Sequence, residues 1–567
     1  MGNRLAMALD KIYGTNASDT LVGAGSVYGW DQTNATGYEG PVGDNDTLTG
    51  VIVYGGNGDD LLIGIANPLS GGGVQSSTIL VGGAGNDTLV GADGPNSFQD
   101  GAGDDVIIGG AQKDTYADVF GGTGNDSISL GAGDDVAMFA DGLGLDTADG
   151  GEGSDYFIFK YLNAAAAVNV VLQSGPTGGV IEGVTYTNFE GFEFHFTDFN
   201  DTVQGGAGNN YLNGGGGNDL MYGGEETDGL YGDAGNDTLF GGGGIDDLTG
   251  GDGSDSIDGG DDDDRIYGEN QRDMLLGGNG NDSIFGGNDN DTLFGGEGND
   301  TLDGGAGTDS MSGGNGNDTF LRARGAGADT IDGGSGADTL FVDFSSATSA
   351  VNVTFKASAT ANMVDGATYR NIENFEAFGG QGKDSITGST GHDRFFGGNA
   401  GDTLSGLGGN DTLAGEAGKD NLSGGAGNDF LDGGSGIDTL AGGGGNDVLY
   451  GGAGNDNLTG NKGSDYFVFA YPSGDGVDKI TDFKPVDDTI ILASDTFNFY
   501  EGPLSEDAFH IGTSSADEND HIIYNKSTGS IYYDADGNGA EAQVLFAQVT
   551  PGTALTANDF LVLDLFE

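Results

Sequence analysis

The chain has 567 residues, 118 of them glycine, and its 90 acidic side chains meet only 17 basic ones, a formal net charge of −73. A surface of that sign repels nucleic acid and anionic lipid and attracts divalent cations. With no cysteine, neither disulfides nor thiolate metal sites contribute. No apolar run approaches the roughly 18 residues of a membrane span, so no membrane insertion is expected.

In chain order, the opening MGNRLAMALD carries Arg4 but lacks a long apolar core and a cleavage pattern, so no N-terminal secretion signal is predicted. Residues 1–54 contain a degenerate repeat, GTNASDTLV (14–22), and the sole tryptophan, Trp30. They are expected to cap a solenoid, whose open end needs covering. Residues 55–158 hold ragged nine-residue units such as GGNGDDLLI (55–63), GGAGNDTLV (82–90), GGTGNDSIS (121–129), GAGDDV (131–136) and GGEGSDYFI (150–158). An insertion (64–81) and a copy without the aspartate, GADGPNSFQ (91–99), interrupt them, so fewer and weaker sites are expected there.

Regular repeats follow. From Gly205 to Leu321 there are thirteen uninterrupted nine-residue units, within a repeat region extending to residue 341, and ten more run from Gly379 to Val468. The sixth position is aspartate in every unit of these runs except the first, where Asn210 stands. The eighth is apolar throughout, from Leu212 and Met221 to Phe467. Glycine at the first, second and fourth positions permits a tight turn. The last three residues form a short strand whose middle side chain points inward. Two units make one 18-residue coil, so each turn stacks on the next but one.

Stacking puts carboxylates one above another at a strand spacing of about 4.8 Å, where unpaired charges repel strongly. A solvated turn accepts asparagine or serine as readily as aspartate. A cage for a hard cation that takes six to eight oxygen ligands needs the charge. The candidate Ca²⁺ ligands are therefore the sixth-position carboxylates. In the ragged region these are Asp60, Asp87, Asp105, Asp126, Asp135 and Asp155. In the first run they are Asp219, Asp228, Asp237, Asp246, Asp255, Asp264, Asp273, Asp282, Asp291, Asp300, Asp309 and Asp318, followed by Asp329 and Asp338. In the second run they are Asp384, Asp393, Asp402, Asp411, Asp420, Asp429, Asp438, Asp447, Asp456 and Asp465. Sites between stacked turns allow at most eleven internal ions in the first run and eight in the second, with Asn210 weakening the first.

The GGxGxDxUx pattern closely resembles the repeats-in-toxin (RTX) family. That resemblance implies an all-β fold, a Ca²⁺-binding parallel β-roll (a right-handed β-solenoid), here interrupted by two β-rich inserts and closed by a C-terminal β domain. The inserts, residues 159–204 and 342–378, are copies of each other. AVNV at 167–170 recurs at 350–353, and GVTYTNFEGFE (183–193) recurs as GATYRNIENFE (366–376), at a constant offset of 183. Their aromatic residues, Tyr186, Phe192, Tyr369 and Phe375, and His195 either form a ligand surface or pack the insert onto the roll; packing is the favoured reading. Glu190 and Glu373 also match, in what reads as a turn, with little to suggest catalysis.

From residue 469 to 567 glycine thins and aromatics gather. DKITDFKPVDDTIIL (478–492) and ANDFLVLDLFE (557–567) resemble the C-terminal region of secreted RTX proteins, including serralysin proteases. The resemblance implies a cap and an uncleaved type I secretion signal, hence a secreted protein and the type I secretion machinery as a partner. YDADGNGAE (533–541) begins like an EF-hand loop, but Leu545 stands where the twelfth-position glutamate belongs, which favours a hairpin turn.

Catalytic signatures are missing. The four histidines, His195, His392, His510 and His521, form no HExxH, and no GxSxG nucleophile elbow occurs. His392, at the fifth position of a repeat, reads as a solvent-facing turn residue. The expectation is a non-enzymatic, calcium-loaded structural protein of a bacterial surface (surface layer, sheath, matrix or adhesin), with self-association or surface polysaccharide as its contacts. The rival reading is a carbohydrate binder or polysaccharide-active enzyme that uses the inserts.

Overall fold

The computed structural model describes residues 10–13, 20–23, 50–64, 77–117, 123–140, 144–161, 165–473 and 476–565. The N-terminal segment with Trp30 lies outside them for the most part. Contacts divide the chain into two units, Met1–Ile284 and Phe285–Glu567. Both are built from parallel strands, and among the described residues the only helical segments are single turns near the C-terminus.

In the first unit the register follows the period. Leu220–Gly224 pairs in parallel with Thr238–Gly243, setting Met221 opposite Leu239. Gly229–Ala234 pairs likewise with Asp247–Asp252, setting Leu230 opposite Leu248. Partners are 18 residues apart, so alternate units belong to alternate faces of a flattened coil. The eighth-position side chains meet between the faces: Leu230, Leu239, Leu248 and Ile257 are fully buried. Each such burial contributes about 1.5–3 kcal/mol, but a coil holds only two, so the core is one side chain deep.

The first insert supplies rungs to this ladder. Val184–Thr187 pairs in parallel with Thr147–Asp149, and Gly191–His195 pairs with Tyr156–Lys160 on one side and Asn210–Asn213 on the other. One face thus runs through the insert. The other ends at Val184–Thr187, which folds back on Gly179–Ile181 as an antiparallel hairpin, and restarts where Asn169–Val171 pairs with Thr202–Gln204. The aromatics fill the interior: Tyr186 and Phe192 are fully buried and stand edge-to-face at 5.5 Å. The Tyr186 hydroxyl accepts the Gln173 N–H at 2.9 Å.

The second unit repeats the plan. Ala367–Arg370 pairs with Thr330–Ser335 and folds back on Asn362–Val364, while Asn374–Phe378 pairs with Thr339–Asp343. Tyr369 and Phe375 are fully buried, and the Tyr369 hydroxyl accepts the Lys356 N–H at 2.9 Å. Regular coils follow, with Leu422 opposite Leu440 and Leu413 opposite Leu431. Beyond residue 468 the ladder continues through Asp478–Ile480 and Thr489–Ala493. An antiparallel set, Ile522–Asn525, Ser530–Tyr533 and Val544–Gln548, comes next. The DADGNG segment is the turn between the last two of these strands.

Candidate metal centre: the aspartate ladders

The turn brings each sixth-position aspartate to the edge of the coil. Its backbone N–H has no partner within its own turn and finds one in the carboxylate of the stacked turn. Asp219 N–H donates to Oδ1 of Asp237 at 2.7 Å, Asp237 to Asp255 at 2.7 Å, and Asp246 to Asp264 at 2.9 Å. In the second unit Asp402 donates to Asp420 and Asp420 to Asp438, both at 2.7 Å. One carboxylate oxygen of each aspartate is therefore consumed by the scaffold, and all thirty candidate aspartates are at most 3 % exposed.

The second oxygen decides the chemistry. Oδ2 is buried and accepts no hydrogen bond at Asp87, Asp105, Asp126, Asp135 and Asp155, at Asp219, Asp228, Asp237, Asp246, Asp255 and Asp264, and at Asp309, Asp318 and Asp338. The same holds at Asp402, Asp411, Asp420, Asp429, Asp438, Asp447 and Asp465. A buried anionic oxygen without a partner is costly. Beside it lies a cradle: a β-carbon on the first-position Gly415 would stand 2.6 Å from Asp420 Oδ2 and 2.7 Å from the Gly433 carbonyl oxygen of the next coil. The same construction on Gly397 meets Asp402 Oδ2 at 2.7 Å and Gly415 O at 2.8 Å. Glycine is required here to leave that space open. A carboxylate oxygen and carbonyl oxygens lining a side-chain-free pocket form the donor set of a hard cation.

Electrostatics agrees. Burial, reinforced by the charges of stacked aspartates and opposed by the amide hydrogen bond, pushes the Asp264 carboxyl up to about 8. Asp219, Asp402 and Asp438 rise to about 7 for the same reasons. Only a cation or a proton relieves these groups.

Other aspartates are closed. Oδ2 of Asp384 accepts the Gly380 N–H at 2.8 Å, and that of Asp393 accepts the Ser389 N–H at 2.6 Å, each four residues back in its own turn. Asp114 and Asp201, which the repeat pattern passes over, close in the same way on Gly110 and Thr197. Asparagine closes a turn by donation. Asn210 Nδ2 reaches the carbonyls of Gly208 at 2.6 Å and Gly223 at 3.1 Å, and Asn96 Nδ2 those of Ala92 and Gly94. Asp329 Oδ2 is held by Arg322 Nε at 3.1 Å.

Several ladder members escape the nine-residue pattern. At the inserts Glu190 Oε2 accepts the Asp155 N–H at 2.9 Å and Glu373 Oε2 that of Asp338 at 3.0 Å, standing where the next aspartate stands elsewhere. The matched positions of the two glutamates were the available signal. Asp146 and Asp488 extend the ladder through Asp126 and Asp465 and could be found by counting six positions into imperfect units. Asp100 replaces a first-position glycine; its carboxylate lies within 4.8 Å of those of Asp105 and Asp126, all three buried. Fifth-position side chains make a second ladder of opposite sense, as in Asn236 N–H to Asn218 Oδ1 at 2.8 Å. His392 belongs to it: its Nδ1 accepts the Asn410 N–H at 2.8 Å.

Comparison with known proteins agrees with this geometry. The family described as RTX calcium-binding nonapeptide repeat (4 copies) matches residues 81–116, 118–142, 197–320, 325–344 and 377–467, more than half of the chain. No relative matches among curated proteins. Among solved structures, the extracellular lipase LipA from Serratia marcescens is similar at 17 % identity, over 52 % of this chain and 40 % of that one, with a TM-score of 0.15. This chain thus spans well under half of that lipase's length. The many turns that combine a matching sequence with an open acidic donor set imply many bound Ca²⁺ ions. The chain belongs to the RTX family of calcium-binding nonapeptide-repeat proteins.

Proposed function

We propose that this is a secreted structural protein of a bacterial surface or extracellular matrix, whose roll folds when it meets extracellular calcium. The observation that carries the reading is the commitment of its chemical groups to the scaffold. The carboxylates are buried and ladder-bonded, and the matched insert aromatics Tyr186, Phe192, Tyr369 and Phe375 are fully buried. His195 Nε2 pairs with Glu193 Oε1 at 2.8 Å on its own strand. A depression of about 320 Å³ beside Phe509 and Leu555 has Glu506 as its only ionisable lining residue.

The chain's residues perform the folding step. Sixth-position amides and Oδ1 atoms set the stacking, Oδ2 and turn carbonyls hold Ca²⁺, and the eighth-position residues close the interior. Calcium supplies the positive charge that lets the stacked carboxylates stay ionised. Extracellular modules bind it at roughly 10⁻⁴–10⁻³ M, which keeps the chain unfolded in a low-calcium cytosol and suits export through the type I machinery. Among the described residues no helix is long and apolar enough to cross a membrane.

The carbohydrate reading retains one supporting feature, now on the regular roll. Tyr222 and Phe240 stack outward at 4.9 Å, and Tyr211 and Tyr231 lie at 5.0 Å. Sedimentation and electron microscopy of the purified chain in millimolar Ca²⁺, with assays for ester and polysaccharide hydrolysis, test the proposal. Ordered assembly without turnover supports it. Calcium-dependent hydrolysis, or a strict monomer that binds soluble glycans through Tyr211 or Tyr222, overturns it.

A further inference from the structure

The internal duplication supplies a natural comparison. Val136–Ala140 and Thr319–Ala323 are corresponding strands, 183 residues apart, and each places its fourth side chain inward. In the first copy that residue is Phe139, fully buried and 5.2 Å from the rings of Tyr116 and Phe157. In the second it is Arg322, only 2 % exposed. An arginine in a one-residue-deep core needs full compensation, and it has it. Nε donates to Asp329 Oδ2 at 3.1 Å and Nη1 to Asp365 Oδ2 at 3.2 Å. Nη2 donates to the carbonyls of Gly327 at 2.6 Å and Asp365 at 2.9 Å.

The sixth-position Oδ2 and the carbonyl oxygens are acceptors of the kind that line the open turns, and the adjoining insert adds a carboxylate. The counterpart of Asp329 is Asp146. Its Oδ1 accepts the Asp126 N–H at 2.9 Å, while its Oδ2 is buried and accepts nothing. The counterpart of Asp365 is Glu182, and both residues take a left-handed backbone, φ 42° and 46°. The two copies therefore share the sixth-position aspartate and an acidic insert residue with a left-handed backbone; they differ in whether the inward side chain, Phe139 or Arg322, delivers positive charge.

We propose that Arg322 is a built-in substitute for a calcium ion. The guanidinium closes the turn at residues 324–329 without metal, whereas the matching turn at Asp146 takes a Ca²⁺ ion. Asp329 is thus withdrawn from the calcium ligands and Asp146 added to them. The guanidinium is a planar fork of five donors and stays charged at every relevant pH, so this coil keeps its compensation when calcium is withdrawn. A second cation on Asp329 Oδ2 would lie beside that charge with no water to screen it.

The inference rests on calcium binding at the open turns, and one experiment separates the two. Calcium is located by anomalous scattering in crystals of the full chain grown in Ca²⁺, and in the Arg322→Met variant. The wild type is expected to show ions along Asp402–Asp465 and at Asp146, with none at Asp329; the variant should gain one ion at Asp329. An ion on Asp329 in the wild type, or a variant with a filled ladder but no ion there, overturns the proposal. A wild-type ladder empty throughout overturns the calcium reading itself and this inference with it. If the variant does not fold, the wild-type crystal decides alone: an ion at Asp146 but not at Asp329 sustains the assignment, and any other pattern defeats it.

Discussion

Asp393 and Asp420 stand in the same ten-unit run, each 1 % exposed, each with Oδ1 accepting an amide of the stacked turn. Asp420 Oδ2 has no hydrogen-bond donor, while Asp393 Oδ2 is closed on Ser389. The contrast recurs by region. Turns further into a run, such as those of Asp219 to Asp264 and of Asp402 to Asp447, are open, and those where a run restarts after an insert, at Asp201, Asp384 and Asp393, are closed. Backbone stacking is common to both, so calcium demand resides in one oxygen atom per turn.

The largest test of that contrast is removal of the ion. In chelator the open turns leave many buried charges uncompensated, and the β signal in circular dichroism should collapse. Acid should partly restore it. Burial raises the carboxyls of open turns above the ordinary 3.8, to about 6 at Asp255 and about 8 at Asp264, so the folded state binds more protons than the unfolded one, and metal-free stability rises as pH falls through that window. With calcium present, protons compete for the same oxygens of the folded chain and weaken its affinity for Ca²⁺ as pH falls below about 8, but the Ca²⁺ concentration at half-folding should not rise, because the unfolded carboxylates stay ionised down to their ordinary 3.8. A metal-free signal that weakens between pH 8 and 5 would contradict this.

Next in size is the core that both kinds of turn share. Leu440→Ala should cost about 2–5 kcal/mol in saturating calcium, read as a lowered denaturation midpoint, because Leu440 is fully buried in a single-residue layer. Leu413→Ala, equally buried in the face that packs against it, should match it.

Substitutions at the paired aspartates then separate open from closed. Asp420→Asn should remove one bound ion and raise the Ca²⁺ needed for folding. Asp393→Asn should cost about 1–3 kcal/mol for a broken buried hydrogen bond and leave the calcium stoichiometry unchanged. Equal loss of ions in both variants, counted by equilibrium dialysis, would erase the distinction. The smallest effect is expected at Asn210→Asp, which replaces an amide donor facing the Gly223 carbonyl with a carboxylate. It should add one ion and alter stability little at high calcium.

Much of this was legible in the repeat. A nine-residue period with glycine at the first, second and fourth positions and an apolar eighth leaves the chain few options besides an 18-residue coil. The observed pairs Leu230 with Leu248 and Leu422 with Leu440 obey it. The requirement for a charged sixth position pointed to a cation for the same local reason: neighbouring coils repeat the same side chain at strand spacing. The inserts were legible as copies, but their placement was not. No short-range pattern states that Tyr186 and Tyr369 turn inward, or that Glu190 and Glu373 continue the amide ladder across 35 residues.

Sequence by itself thus determined the fold class, the core positions and the identity of the metal, since each depends on contacts fixed by the period. Tertiary structure alone decided which carboxylates remain open. That choice depends on whether Oδ2 finds a donor, which is either a restarted turn's own amide or the guanidinium of Arg322 beside an insert residue 43 positions away.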